Sequence, residues 1–536
     1  MAAEPVDVLV IGGGITGAGI ARDAALRGFR TAVVDKGDLG GGTSSLSSRL
    51  IHGGIRYLEQ GQFRLVFEAS RERRVLLGIA PHLVHPLPFL FPVYRGARIP
   101  AWKLRAGMWL YDLLAAFHNV KMHRWLGRKA TQRLEPGLRD KELKGAALYY
   151  DAQTDDARLV IATMRSAAHA GGLVANYAEV TALIKPDGRV GGATVRDALS
   201  GRVSTVRALV VVNATGPWVD RVRRLDDAGA EPLLRPTKGA HVAVPRKRVG
   251  HTLAVTLTSP IDGRVMFVLP WGDLSYIGTT DTDEDASPDE VRATAQDVVY
   301  LLRSVNAFFP HARLSPSDVI ASWAGLRPLL RPPRHLAPSA ASREHRVIES
   351  RSGLWTIAGG KLTTYRVMAR DVVDRVAARL RELDGRPRAP RAPTERLPLP
   401  GGETADLDGL VKAAVDRGAP ERTARHLVSS YGSESAAVLN LVDRDRALGR
   451  PIVAGRAVLW AEVAHAVERE MAVRLTDVLV RRLHLFYATR DRGVPAANAV
   501  ADWLAEALGW DTTRRTEEVA AYLELVERSR AFATEG

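Results

Sequence analysis

The chain contains no cysteine. That single absence excludes disulfides, thiolate metal sites, iron–sulfur clusters and cysteine redox partners together. Any redox chemistry must then be carried by a bound organic cofactor. Long apolar runs are missing as well: no stretch of about eighteen apolar residues occurs, so no membrane-spanning helix is expected. No charged segment followed by an apolar core precedes the first strand-like run, so no signal peptide is expected and the protein is read as cytoplasmic. No module of interleaved basic and aromatic residues is found, which argues against a nucleic-acid partner.

What is present is the composition of an ordinary globular protein, 46% hydrophobic and 25% charged over 536 residues, a length that calls for about two or three domains. The formal charge of +15 suits an acidic partner such as anionic lipid or a phosphorylated metabolite, or a solvated arginine-rich face.

The most informative stretch is Val6 to Asp35, VDVLVIGGGITGAGIARDAALRGFRTAVVD. An apolar β-branched run meets Gly12, Gly14 and Gly17, then a helix of small residues, then a second apolar run ending in Asp35. This order reads as a βαβ unit for an adenine dinucleotide. Gly12 serves the tight turn, Gly14 the approach of a pyrophosphate, Gly17 the packing of helix on strand, and Asp35 a ribose hydroxyl. The hydroxyl cluster Thr43-Ser44-Ser45 follows, able to cap a helix or to donate to phosphate or flavin oxygens.

Further on, Ile51-His52-Gly53-Gly54-Ile55-Arg56-Tyr57 has the composition of a site wall. Pro81 to Gly127 is rich in prolines, aromatics and basic residues, which fits either a segment resting on anionic lipid or the aromatic core of a substrate domain. A helix is expected from Asp156 to Ala170, and a strand ending in Ala214-Thr215-Gly216 should bring a second turn to the dinucleotide. Arg235 to Asp281 reads as an antiparallel substrate lid, with a hairpin across Gly272-Asp273 and a helix near Asp289 to Phe308. Gly353 to Arg370 returns the chain to the first domain and places Lys361 at a helix start, where a cation opposes the helix field and points to a ligand. Arg386 to Pro393 reads as a stiff linker. Beyond it Val463, Val467, Met471, Leu475 and Leu479 recur at four-residue spacing, a helical bundle in which nothing looks catalytic.

The stretches VIGGGITGAGIARDAALRG, TSSLSSRLIHGGIRYLE, DDARLV, VVNATGPWV, KGAHVAVP, VLPWGDLSYIGTTD, GLRPLL and IAGGKLTTYR together resemble FAD-dependent glycerol-3-phosphate dehydrogenases, respiratory members of the glycine-oxidase-like flavoproteins. The resemblance spans nearly the whole chain. It implies an α/β fold: a Rossmann-like FAD-binding part (about 1–80, 150–225 and 320–385), an interleaved antiparallel substrate part (about 81–149 and 226–319), a linker at 386–396 and an all-α C-terminal domain at 397–536. It also implies oxidation of sn-glycerol 3-phosphate to dihydroxyacetone phosphate by hydride transfer to flavin N5. Electrons would pass to a membrane quinone, with the enzyme on the inner face of the cytoplasmic membrane. A homodimer is also expected.

For that chemistry the phosphate calls for arginines, with Arg56, Arg327 and Arg343 as candidates and Tyr57 as a neutral donor. His241 is the candidate base, Lys361 a charge beside flavin or substrate, and Thr279, with Thr280 behind it, a pocket wall. The expected FAD contacts are Gly12, Gly14, Gly17, Asp35, Thr43, Ser44, Ser45, Val180, Gly216 and Leu362, and no metal site is expected. The rival reading is a soluble glycerol-3-phosphate oxidase that makes hydrogen peroxide. The lack of a large extra insertion and the basic aromatic segment favour the dehydrogenase. An amino-acid oxidase on the same fold would need fewer cations, and a non-catalytic protein with a degenerate flavin site would take up no flavin.

Overall fold

The computed structural model describes residues 4–59, 61–116, 119–331 and 343–533. The run Val6–Ile11 is almost wholly buried, as suits the middle of a parallel sheet. There it lies in parallel between Thr31–Val34 and Val203–Asn213, with Ile11 opposite both Val34 and Asn213. Leu354–Gly359 extends the parallel set, His345–Glu349 closes one edge antiparallel, and Leu173–Ala175 closes the other. Helix Ile15–Leu26 packs against Asp156–His169 and Tyr365–Asp384, burying Ile20, Leu159 and Val372 in one core with Val8 and Val10. A Cβ on Gly17 would lie 1.8 Å from the Gly12 carbonyl oxygen, so helix and strand could not meet this closely with any larger residue.

The second sheet, ten-stranded among the described residues, is mostly antiparallel. Thr237–Pro245 runs between Leu274–Gly278 and Ala321–Arg327, and Val265–Trp271 forms the expected hairpin with Leu274–Gly278. Val84–Tyr94 pairs with Leu143–Thr154 on one side and Ala254–Thr258 on the other. Two segments assigned above to the dinucleotide part, Leu50–Ile51 and Ala321–Arg327, belong to this sheet instead. All seven residues of Ala321–Arg327 find partners along Thr237–Ala243, and that ladder decides its place. The helix expected near Asp289 begins only at Ala295, because Thr294 and Asp297 form a capping box that fixes its first turn. Residues 284–293 before it cross the surface without regular structure apart from a turn.

The C-terminal part is helical, including Leu407–Asp416, Glu421–Tyr431, Ser435–Arg444, Trp460–Glu470, Val494–Leu508 and Thr512–Arg530. The four-residue row from Val463 to Leu479 is not one continuous helix. Trp460–Glu470 ends at Met471, which is left-handed at φ 57°, and the chain turns into a short π-helical segment, Asp477–Arg482. Asp477 holds the turn by accepting from the Val473 and Arg474 amides at 3.0 and 2.9 Å.

Buried charges bind this part to the rest. Arg158 pairs bidentately with Glu470 at 2.8 and 2.7 Å. Arg482 reaches Asp38 at 2.9 Å, and Arg481 bonds both Asp38 and Asp477. Burial alone would favour a neutral Asp38, but the guanidinium groups of Arg482 and Arg481 hold its carboxyl down at about 2. Removing one partner of such a buried pair leaves an uncompensated charge. Glu470→Gln should therefore cost about 3–5 kcal/mol in guanidinium unfolding, and Arg158→Met combined with Glu470→Leu should recover most of that loss.

Candidate active site

A cavity of about 910 Å³ is lined by both sheets and by the C-terminal helices, within the range of about 300–1,000 Å³ typical of ligand sites. On the side of the first sheet, helix Ile15–Leu26 begins at the cavity wall with Gly14, Ile15 and Thr16 lining it and no acid in its first turn. Amides at such a start bind anions through their N–H groups and the helix field. One is already taken: the Ile15 amide donates to Ser44 Oγ at 3.0 Å.

Asp35 lines the same wall and accepts from the Gly13 and Gly37 amides at 2.6 and 2.8 Å. Burial pushes its carboxyl up to about 6, against those two donors, and its oxygens are placed at the cavity wall to accept from ribose. The cradle therefore suits a dinucleotide pyrophosphate and its sugar, and the residues present fit FAD. Thr43 and Ser45 spend their hydroxyl protons within the protein, on Leu326 O at 2.6 Å and Gly40 O at 2.8 Å, and so shape the loop that lines the cavity. Val180, Gly216 and Leu362 line it too, whereas Gly17 lies behind the wall.

On the side of the second sheet stands His241. It faces Gly278 across one strand pair and Trp323 across the other, and its ring stacks on Trp323 at 5.2 Å and 8°. A Cβ on Gly278 would come within 2.1 Å of the imidazole, so the glycine makes room for the ring. Nε2 lies 2.8 Å from Ser48 Oγ, and Nδ1 is buried without a hydrogen-bond partner among the described residues. Burial, then the charges of Arg327 and Arg49, lowers its pKa to about 3, so the free imidazole is neutral.

Arg327, at the end of Ala321–Arg327, is held from several directions. Its guanidinium donates to Asp281 Oδ1 at 3.0 Å, Thr279 Oγ1 at 3.0 Å and the Thr280 carbonyl at 3.1 Å. Thr279 thus orients the arginine and is not itself a wall of the cavity, as had been expected of it. Thr280 is buried, its hydroxyl accepting from the Ala240 amide at 2.9 Å. Lys361 lines the cavity, donates to the His52 carbonyl at 3.2 Å and lies 5.1 Å from the Tyr57 ring centre. Tyr57 is buried beneath it and does not line the cavity, so the expected neutral donor becomes a platform for the lysine. Arg343 lines the cavity as well. Arg56 sits in the turn Ile55–Leu58, and its side chain lies outside the described residues.

Sequence reasoning missed the C-terminal contribution entirely. Arg474, Arg481, Tyr487 and Arg528 line the cavity, so this part closes the site where only a remote bundle was expected. The adjacent arginines Arg481-Arg482 in an apolar helical row were the available signal. Their partner Asp38 lies over four hundred positions away, beyond the reach of any spacing argument.

Comparison with known proteins follows the same division. A family model described as FAD dependent oxidoreductase matches residues 7–375, and one described as the C-terminal domain of alpha-glycerophosphate oxidase matches 392–515. Glycerol-3-phosphate dehydrogenase 2 of Mycobacterium tuberculosis is 42% identical over 533 residues, 98% of this chain and 88% of that protein. The structure of the glycerol-3-phosphate dehydrogenase from Bacillus halodurans complexed with FAD superposes with a TM-score of 0.83 at 32% identity, covering 99% of this chain and 96% of that one. Glycine oxidase from Geobacillus kaustophilus, at 23% identity and a TM-score of 0.54 over 70% of this chain and 95% of its own, shares the fold. With dinucleotide wall, cation-lined lid and helical closure all in place, the chain belongs to the FAD-dependent oxidoreductases, in the glycerol-3-phosphate dehydrogenase family.

Proposed function

We propose that this protein oxidises sn-glycerol 3-phosphate to dihydroxyacetone phosphate and passes the electrons to a quinone of the membrane on which it rests. One observation carries the reading: Arg327, Lys361, Arg343 and a neutral His241 line the same cavity as Gly12, Gly14 and Asp35. When bound, FAD supplies the two-electron acceptor. The chain's own side chains bind the phosphate, orient the alcohol carbon and take its hydroxyl proton.

Arg327 is fixed by Thr279, Thr280 and Asp281 before any substrate arrives, and a pre-oriented guanidinium holds a phosphate at low entropic cost. His241 begins neutral, which a proton acceptor requires. In the tautomer where the Ser48 hydroxyl donates to Nε2, that nitrogen keeps the lone pair that receives the proton, by way of Ser48, which also lines the cavity. A phosphate dianion at Arg327 offsets one of the two charges that depress the imidazole, so substrate binding itself strengthens the base.

A surface feature supports the membrane. Among the described residues no helix is long and apolar enough to cross a bilayer. Helix Ala101–Leu114 nevertheless turns Leu104, Met108 and Tyr111 inward and exposes Trp102 (73%), Trp109 (58%) and Leu113 (57%), with Lys103 and Arg105 exposed on the same helix. Phe63 and Phe67 are exposed on helix Phe63–Ile79, which packs against it. Exposed tryptophans beside basic residues suit the headgroup region of anionic lipid. The aromatic segment thus divides: Phe89, Phe91 and Tyr94 are core, while the two tryptophans face outward.

Three measurements test this reading. With glycerol 3-phosphate as donor, a soluble quinone analogue should be reduced faster than oxygen, whereas peroxide formed in step with turnover would assign the oxidase reaction instead. Arg327→Ala should raise the KM for glycerol 3-phosphate roughly 10- to 100-fold while the protein keeps its yellow flavin, as expected for a lost charged hydrogen bond. An unchanged KM removes Arg327 from the phosphate site. The double variant Trp102→Ser, Trp109→Ser should cease to sediment with phosphatidylglycerol vesicles that retain the wild type, and equal sedimentation places the contact elsewhere.

A further inference from the structure

Between the strand Thr282–Asp283 and the helix that begins at Ala295, residues 284–293 cross from the lid to the dinucleotide wall. Both ends of this segment are pinned within the lid. Lys238 pairs with Glu284 at 3.5 Å and with Asp297 at 3.0 Å, and Val291 and Ala293 pack with Ala240 and Ala324. Its middle lines the cavity through Pro288, Asp289 and Val291.

There Asp289 is gripped from the opposite side. Its Oδ1 accepts from Lys36 Nζ at 2.6 Å, and its Oδ2 from Trp218 Nε1 at 3.3 Å. Lys36 in turn lies 4.3 Å from the centre of the Trp218 ring. Lys36 directly follows Asp35, the acid placed for the ribose, and Trp218 follows the Ala214-Thr215-Gly216 turn, so both anchors stand on the dinucleotide wall. The Asp289 carbonyl also accepts from Arg528, in the helix Thr512–Arg530 of the C-terminal part, at 3.3 Å. One residue of the lid thereby meets all three parts of the chain.

We propose that residues 284–293 form a strap across the adenosine half of the FAD site, and that Asp289, clasped by Lys36 and Trp218, sets how fast the coenzyme leaves. The strap supplies none of the side chains proposed to bind or oxidise the substrate. Its fastening is largely ionic and half-exposed, with side-chain exposure of 35% for Lys36 and 48% for Asp289, so salt should weaken it. Loss of the clasp would let the strap lift while its ends stay anchored. The inference rests on the dinucleotide occupying this cavity and not on which alcohol is oxidised. A protein that binds FAD but leaves glycerol 3-phosphate untouched would still decide it.

The test follows release of FAD from the holoenzyme by the rise in free-flavin fluorescence. Asp289→Ala and Lys36→Met should each release FAD about three- to fivefold faster than wild type, the scale of one weakened ion pair. Because the two residues share one interaction, the double variant should be no faster than the faster single variant. Raising salt from about 0.05 to 0.5 M should speed release from the wild type and barely change the variants. Asp289→Asn, which keeps the size of the side chain and an acceptor for Trp218, should fall between wild type and Asp289→Ala. Wild-type release rates in both single variants, or a double variant whose acceleration is the product of the two, would overturn the proposal.

Discussion

The contact of Asp38 with Arg481 and Arg482 is the constraint on which much of the remaining arrangement depends. Asp38 lies three residues beyond Asp35, on the loop that leaves the second strand of the parallel sheet, and the arginines lie in a segment that lines the cavity. Charges this deeply buried persist only when each is answered by another. Here the answers come from opposite ends of the sequence, and the helical C-terminal part is therefore seated against the dinucleotide wall. Arg158 with Glu470 fixes a second point of the same joint. Together the pairs make the cavity a product of three parts of the chain.

Within that cavity the electrostatics are arranged by neighbours more than by the groups that face the ligand. His241 owes its neutrality to burial and to two arginines, Arg327 and Arg49. Arg327 owes its direction to Thr279, the Thr280 carbonyl and Asp281. Lys361 is steadied by the His52 carbonyl and the Tyr57 ring. His241, Arg327 and Lys361 are thus oriented before the substrate comes, the condition under which placement contributes to rate.

The sequence made local matters legible. Val6 to Asp35 announced its own strand, helix and strand because each of those elements depends on residues a few positions apart. The hairpin across Gly272-Asp273 was readable for the same reason. What escaped was set by distant partners. Ala321–Arg327 lies in the lid sheet because Thr237–Pro245 offers it a complete ladder, and nothing within the seven residues says so. The row from Val463 to Leu479 has a helix's spacing, yet it breaks at Met471 where Asp477 gathers two amides and the arginines turn toward Asp38. Among the candidate site residues, several within short motifs reached the cavity, including Gly12, Gly14, Asp35, Ser44, His241 and Lys361. Tyr57 and Thr279 lie one layer behind it, since a motif fixes proximity and leaves the direction of each side chain to packing.

The carboxylate beside Arg327 has a bearing on selectivity. Asp281 already occupies part of that guanidinium, so an incoming anion must compete with a resident one. A singly charged acid group brings less attraction to that exchange than a phosphate monoester, which near neutral pH carries close to two charges and three acceptor oxygens. A substrate that carries only a carboxylate would compete for this position less well than a phosphate ester. Discrimination against such substrates would then come from a built-in competitor more than from the shape of the pocket.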